Sequence, residues 1–72
     1  MSEEEKIELL EEIMDLDKGT LRIEDELANY DEWDSLTALS FISVMDERFG
    51  KTVTGEEIIE FVTVADAISI MK

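Results

Sequence analysis

Residues 34–50, DSLTALSFISVMDERFG, decide the fold because they form the clearest amphipathic helix of this 72-residue chain. Apolar residues recur there at three- and four-residue steps, the spacing of one helix face: Leu36, Leu39, Ile42, Met45 and Phe49. Phe41 and Val44 widen this apolar stripe. The helix is expected to begin at Asp34 or Ser35 and to stop at Gly50, because glycine favours helix C-termini.

The stretch before this helix predicts a first helix. Ser2 and Glu5 have the spacing of a capping box, in which two side chains satisfy free amides at a helix start. Apolar residues then continue at helical spacing as far as Leu16. We therefore expect a helix from about Ser2 to about Leu16.

Residues 17–34 lose this periodicity and contain a glycine, which predicts a long loop. Loops of this length are uncommon unless they are functional or held against the core. Four isolated apolar residues are the expected anchors: Leu21, Ile23, Leu27 and Trp33. We expect the loop to be ordered.

Two further capping patterns predict two more helices after Gly50. Thr54 and Glu57 open a short one, and Thr63 and Asp66 open a last helix, whose apolar spacing continues to residue 71. Residues 1–72 are therefore expected to form a single all-α domain. Its architecture is a small four-helix bundle with a long loop between the first two helices and a short third helix.

The composition argues against several classes of function. Twenty Asp and Glu against six Lys and Arg give a net charge of −14, which repels phosphate backbones and anionic membranes and attracts basic protein surfaces. The chain has no Cys or His, so the commonest general base and metal ligands are missing. No apolar run is long enough to span a membrane, and residues 1–5 are acidic where a signal peptide is basic. We expect a cytoplasmic monomer without catalytic residues, a resident metal, a membrane span or a nucleic-acid partner.

Asp34-Ser35-Leu36 is the motif with the most functional content. It stands at the start of the second predicted helix, after the long loop, with Phe49-Gly50 ending that helix and Thr63-Val64 opening the fourth. In this order, and in an acidic chain of this size, the motif resembles that of the acyl carrier proteins, which bind phosphopantetheine. The resemblance covers the whole chain and implies a bundle of the acyl-carrier type.

The resemblance implies that Ser35 receives a 4′-phosphopantetheine arm from coenzyme A through a phosphopantetheinyl transferase. The arm holds an acyl or aminoacyl group as a thioester, which a ligase loads and which acyl-processing enzymes with basic docking surfaces receive. Asp34 is implied to help bind the Mg²⁺ that the transferase uses, and Leu36 to contact partners. Such a chain is a substrate of enzymes in lipid or secondary-metabolite biosynthesis and not an enzyme itself.

The resemblance also implies a docking face along the second helix. Its positions in this chain are Trp33, Leu36, Thr37, Ser40, Ser43, Asp46 and Glu47. Carriers of fatty acid synthesis have acidic residues early in this helix, where this chain has Thr37 and Ser40, and the family's glycine before the motif is replaced by Glu32. These departures indicate a stand-alone carrier of a specialised or aminoacyl pathway.

Acyl pockets of the family lie between the second and third helices. The matching positions here are Leu39, Ile42, Met45, Val53, Ile58, Phe61 and Ala67. Bulky Ile58 and Phe61 predict that much of this space is filled, which favours short or exposed cargo. The simpler interpretation is that these side chains belong to the hydrophobic core.

Three other interpretations stay open. In the first, Ser35 only caps the second helix and carries no modification, or Asp34 provides this cap in its place. Asp15, Asp17 and Glu26 have the spacing of ligands in an EF-hand-like calcium loop, although the glycine of that loop lies one residue early. A helical adaptor protein shares the acidic surface but leaves the surroundings of Ser35 unexplained.

Overall fold

The computed structural model describes residues 1–72 and contains four α-helices and no strand. They are α1 (Glu3–Ile13), α2 (Ser35–Phe49), α3 (Gly55–Glu60) and α4 (Val64–Ile68), with a short 3₁₀ helix at Leu27–Asn29. α1 packs against α2 and α4, and α2 packs against α3. None of the helices combines the length and the apolar character needed to cross a membrane. The predicted all-α fold, with its long loop and short third helix, is confirmed.

The predicted caps are present at the starts of α1, α3 and α4. Ser2 and Thr63 form complete capping boxes with Glu5 and Asp66, and the Thr54 hydroxyl accepts a hydrogen bond from the third amide of α3. Bonds from the backbone amides of Ser2 and Thr63 hold the pKa of Glu5 and the pKa of Asp66 below their ordinary values. Local sequence therefore determines where these helices begin.

Two helices end earlier than their apolar spacing predicts. α1 stops at Ile13 instead of near Leu16, because Asp15 adopts a left-handed conformation with φ of 59° that an α-helix does not continue. α4 stops at Ile68, three residues before residue 71. There the Ser69 hydroxyl donates to a backbone carbonyl one turn earlier at 2.6 Å, a bond that competes with helical pairing.

The hydrophobic core brings together all four helices and the loop. Phe41 of α2 is fully buried and makes edge-to-face contacts with Trp33 and Phe61, at ring-centroid distances of 6.0 and 5.8 Å. Thirteen buried apolar residues form the cluster: Leu9, Leu10, Met14, Leu21, Leu27, Phe41, Met45, Val53, Ile58, Val64, Ala67, Ile68 and Met71. The Phe41 ring therefore links the core to the loop before α2 and to the segment after α3.

The long loop is ordered, as predicted. Leu21 and Leu27 are buried in the core. Backbone hydrogen bonds also join residues 23–27 to residues 62–65, and in one of them the Leu27 amide donates to the Val62 carbonyl at 2.9 Å. The loop is thereby held against the segment that connects α3 and α4.

A buried carboxylate fastens the beginning of this loop. Glu11 of α1 is only 2% exposed, and its Oε2 accepts a hydrogen bond from the Leu21 amide at 2.8 Å. Its other oxygen, Oε1, has no hydrogen-bond partner. The helical pattern does not single out Glu11 among the six glutamates of α1, so the sequence analysis missed this anchor.

Glu11→Ala is expected to lower the free energy of unfolding by about 1–3 kcal/mol, because it leaves the buried Leu21 amide without an acceptor. Urea denaturation followed by far-UV circular dichroism measures the change. Glu12→Ala is the matched control, since Glu12 is the exposed neighbour on the same helix; its effect should stay within about 0.5 kcal/mol. Equal losses in the two variants would contradict the anchoring role.

Candidate functional site

The start of α2 is capped by Asp34 and not by Ser35. Asp34 has extended backbone dihedrals, and its Oδ1 accepts a hydrogen bond from the Thr37 amide at 2.9 Å. This is the geometry of an N-cap, and it makes Ser35 the first residue of the helix. The interpretation of Ser35 as the cap itself is therefore wrong.

The Ser35 side chain is exposed at this helix end. Its hydroxyl makes no hydrogen bond within the chain, because Asp34 already performs the capping. The backbone amides of Ser35 and Leu36 donate to no backbone carbonyl. A free hydroxyl thus stands beside N–H groups that have no backbone partner, at the positive end of the α2 dipole.

An apolar cleft of about 470 Å³ opens beside Ser35. Its walls come from the loop before α2, the first turn of α2, and α3 with the residue that follows it: Ala28, Trp33, Asp34, Ser35, Ala38, Gly55, Ile58, Ile59 and Phe61. Asp34 is the only charged residue among them, and its carboxylate is engaged with the Thr37 amide. The cleft therefore suits an uncharged, apolar group.

Of the seven residues predicted to form an acyl pocket, two line this cleft and five do not. Ile58 and Phe61 line the cleft. The others lie elsewhere: Met45, Val53 and Ala67 are buried in the core, Ile42 is half-buried, and Leu39 is 64% exposed. The sequence did not identify Ala28 as a cleft residue, because no local pattern indicates which loop residue packs beside α3. Acyl binding by the seven positions stays a prediction.

The geometry at Ser35 accords with the outcome of comparisons with known proteins. A model of the family described as phosphopantetheine attachment site matches residues 7–70. The chain belongs to this family. Neither curated proteins nor solved structures give a match. Proteins of the phosphopantetheine family are carriers rather than catalysts, and the prosthetic group that they carry is 4′-phosphopantetheine.

The residues at the start of α2 fit this prosthetic group. Free amides at a helix N-terminus bind anions, and the phosphodiester of the group is an anion. The Ser35 hydroxyl is exposed there without a hydrogen-bond partner, and the apolar cleft begins at the same residue. When attached, the group supplies the thiol that this cysteine-free chain lacks.

The residues predicted to meet partners lie mainly on the outer side of this carrier's α2. Five of them are exposed: Leu36, Ser40, Ser43, Asp46 and Glu47. Thr37 is half-buried, and its amide belongs to the Asp34 cap. Trp33 is also half-buried and contributes to the cleft wall. The structure thus separates Trp33 from the outer face of α2, and the docking role of all these residues stays a prediction.

The calcium interpretation finds no support in the geometry. No three acidic side chains of the chain come together in a way that would hold a metal ion. Asp15, Asp17 and Glu26 are therefore not assembled as a ligand set. Glu26 instead lies in an isolated bridge with Thr63, in the contact between the loop and the α3–α4 connection.

The Asp34 cap should be detectable in a pH titration. The hydrogen bond from the Thr37 amide holds the pKa of Asp34 below its ordinary value. Stabilisation by this bond is therefore complete above the ordinary pKa of an aspartate and is lost as the pH falls through the lowered pKa. We expect the Thr37 amide signal in NMR spectra to shift with a midpoint below the ordinary aspartate pKa. Asp34→Asn, which keeps an accepting oxygen, should remove this inflection, and a midpoint at or above the ordinary value would contradict the cap.

Proposed function

We propose that Ser35 is the attachment site of 4′-phosphopantetheine and that the protein is an acyl carrier protein. The observation that carries the proposal is that Asp34 and Ser35, neighbours at the start of α2, have different roles. Asp34 caps the helix, which leaves the neighbouring Ser35 hydroxyl exposed and without a hydrogen-bond partner. A serine at this position contributes no bond to the fold, so its hydroxyl is available to another enzyme.

Modification consists of one substitution at phosphorus. The Ser35 oxygen forms a new P–O bond to the phosphate that carries pantetheine in coenzyme A, and the P–O bond to the nucleotide half breaks. The nucleotide leaves with the second phosphate, and the serine proton passes to a base of the phosphopantetheinyl transferase. This chain has no histidine or cysteine to act as that base, in agreement with its role as the substrate.

Intact mass spectrometry tests the proposal. The purified chain is incubated with coenzyme A, Mg²⁺ and a broad-specificity phosphopantetheinyl transferase. We expect the mass to rise by one phosphopantetheinyl group, and peptide mapping should find the added mass on Ser35. No gain in mass, or a gain on a peptide without Ser35, would refute the assignment.

The cleft supports a carrier of short, uncharged acyl groups. Its walls include Trp33, Ile58 and Phe61, and the carboxylate of its one charged residue, Asp34, already accepts a hydrogen bond from the Thr37 amide. Burial of an unpaired charge is costly, so a charged aminoacyl group would remain outside. Long chains would have to displace side chains of the packed core.

Loading the arm with acyl groups of different length tests this cargo preference. A short acyl group should shift the NMR signals of the Trp33 indole and the Ile58 methyl groups. A long chain should shift them no further, because the fully buried Phe41 ring packs against the Trp33 and Phe61 rings of the cleft wall. Large additional shifts at Met45 on loading a long chain would show instead that the core opens and that the pocket is deep.

A further inference from the structure

A polar pocket of about 340 Å³ lies beside the C-terminal half of α1. Four of the six residues that line it are acidic and one is basic: Glu8, Glu11, Glu12, Asp15, Leu16 and Lys18. None of them belongs to the cleft beside Ser35. We refer to this second cavity as the acidic pocket.

The acidic pocket concentrates negative charge where a helix disfavours it. Residues three or four positions apart are neighbours on a helix, so Glu8 lies beside two like charges, Glu11 and Glu12. The C-terminus of a helix is the negative end of its dipole, and the last turn of α1 contains no basic residue. Nothing within the helix itself offsets this repulsion.

Lys18 supplies the one positive charge in the wall of the pocket. Its ammonium nitrogen lies 3.6 Å from Glu8 Oε1, and its side chain is 78% exposed. An ion pair this exposed contributes little to stability. Four carboxylates and one ammonium group leave the wall with a net charge of −3. The pocket therefore attracts further cations.

The buried carboxylate of Glu11 points to a ligand at this place. Glu11 is only 2% exposed, and its Oε2 accepts the hydrogen bond from the Leu21 amide. Its Oε1 is also buried and has no hydrogen-bond partner, because the Lys18 ammonium group pairs with Glu8 instead. An unpaired buried carboxylate oxygen is costly, so a cation that reaches it gains a strong, charge-assisted hydrogen bond.

The surroundings of Glu11 favour an ammonium group over a metal ion. Calcium and magnesium ions need about six oxygen ligands, and no three acidic side chains of the chain are arranged to hold a metal ion. An ammonium group has only three protons to donate. The net charge of −3, spread over the pocket wall, suits a flexible molecule that carries several ammonium groups.

We propose that the acidic pocket binds an aliphatic polyamine, with one ammonium group donating to Glu11 Oε1 and the others contacting the exposed carboxylates of Glu12 and Asp15. The inference goes beyond the proposed carrier function and does not depend on the attachment at Ser35. A bound polyamine offsets the repulsion at the end of α1, and through Glu11 it strengthens the anchor of the long loop. Because the pocket exists only in the folded chain, binding stabilises the fold.

An NMR titration with spermidine tests the inference. The Leu21 amide shares the Glu11 carboxylate, so its signal should shift in a saturable way as spermidine is added. Glu11→Gln keeps an oxygen for the Leu21 amide but removes the charge, and it should raise the apparent Kd about tenfold. Glu4→Gln is the matched control, since Glu4 is an exposed glutamate of α1 outside the pocket. Its Kd should stay within about twofold.

A change at Lys18 should act in the opposite direction. Lys18→Met removes the ammonium group that competes for the same carboxylates, so spermidine should bind about threefold more tightly. Lys72→Met makes the same change of charge outside the pocket and should leave the Kd nearly unchanged. This difference separates a defined site from general attraction to an acidic protein.

Three results would overturn the inference. Equal weakening by Glu11→Gln and Glu4→Gln would show that spermidine only screens the net charge. A saturable shift of the Leu21 amide with Mg²⁺ at the same or a lower concentration would assign the pocket to a metal ion. No shift with spermidine, together with a lower stability of Lys18→Met than of Lys72→Met in urea denaturation, would show that Lys18 itself is the partner of Glu11.

Discussion

Ser35→Ala is expected to abolish phosphopantetheinylation completely while leaving the fold intact. The variant removes the only exposed, unpaired hydroxyl at the start of α2, and no other nucleophile stands beside the free amides there. Its stability should change by no more than about 0.5 kcal/mol, because the Asp34 cap remains and alanine suits the first turn of a helix. Intact mass spectrometry after incubation with the transferase and coenzyme A measures the loss.

Two other serines of α2 are the matched controls. Ser40 and Ser43 are exposed on the same helix and lie within its next turns. Ser40→Ala and Ser43→Ala should both still gain the full mass of the prosthetic group. If the Ser35→Ala variant were modified and one of these two variants were not, the attachment site would have to be assigned to that other serine. Circular dichroism spectra that match the unchanged chain would show that the Ser35→Ala result is not caused by unfolding.

Phe41→Ala is expected to have the largest effect on stability, a loss of about 3–5 kcal/mol. The Phe41 ring is fully buried, and its removal leaves a cavity at the centre of the core. It also removes the edge-to-face contacts with Trp33 and Phe61, each worth about 0.5–1.5 kcal/mol beyond burial. A domain of this length has a total stability of about 4–11 kcal/mol, so this loss removes a large part of the total, and we expect a measurable unfolded fraction of the variant at ordinary temperature.

Urea denaturation monitored by fluorescence of Trp33, the single tryptophan, measures this loss. Ile59→Ala is the matched control, because Ile59 is a large apolar residue that is 84% exposed. Its effect should stay within about 0.5 kcal/mol. Phe41→Leu, which keeps most of the volume, should lose clearly less than Phe41→Ala. Similar stabilities for Phe41→Ala and Ile59→Ala would show that the Phe41 ring does not hold the core together.

The Phe41 contacts also connect stability to function. Trp33 and Phe61 line the cleft beside Ser35, and both rings rest against Phe41. Loss of the Phe41 ring therefore removes the support behind two walls of the cleft. We expect Phe41→Leu to stay folded, since leucine keeps most of the volume, and the attachment at Ser35 to persist, because Ser35 and its Asp34 cap depend on local backbone geometry and not on the cleft.

Helix starts were predictable because they depend on residues close together in the chain. The capping boxes at Ser2 and Thr63 and the glycine stop after α2 are contacts within a few positions. Helix ends were less predictable. Asp15 and Ser69 end α1 and α4 through a left-handed conformation and a side-chain bond, neither of which the apolar spacing indicates.

The sequence by itself determined the all-α class and the order of the helices, because periodicity and caps are local properties. The carrier family was indicated by the resemblance of the motif at Ser35 and its surroundings, and the family match over residues 7–70 shows it. Only the tertiary structure decided that Asp34 is the cap, that Ser35 is therefore free, and that Leu39 points outward. The structure likewise brought Ala28 and Trp33 to the cleft and paired Glu11 with the Leu21 amide. The Asp34 cap is a local contact, but both neighbouring side chains suit it, and only the structure shows which one accepts the Thr37 amide. The cleft and the Glu11 contact join residues far apart in the chain, and spacing along the chain carries no information about how the long loop packs across the helices.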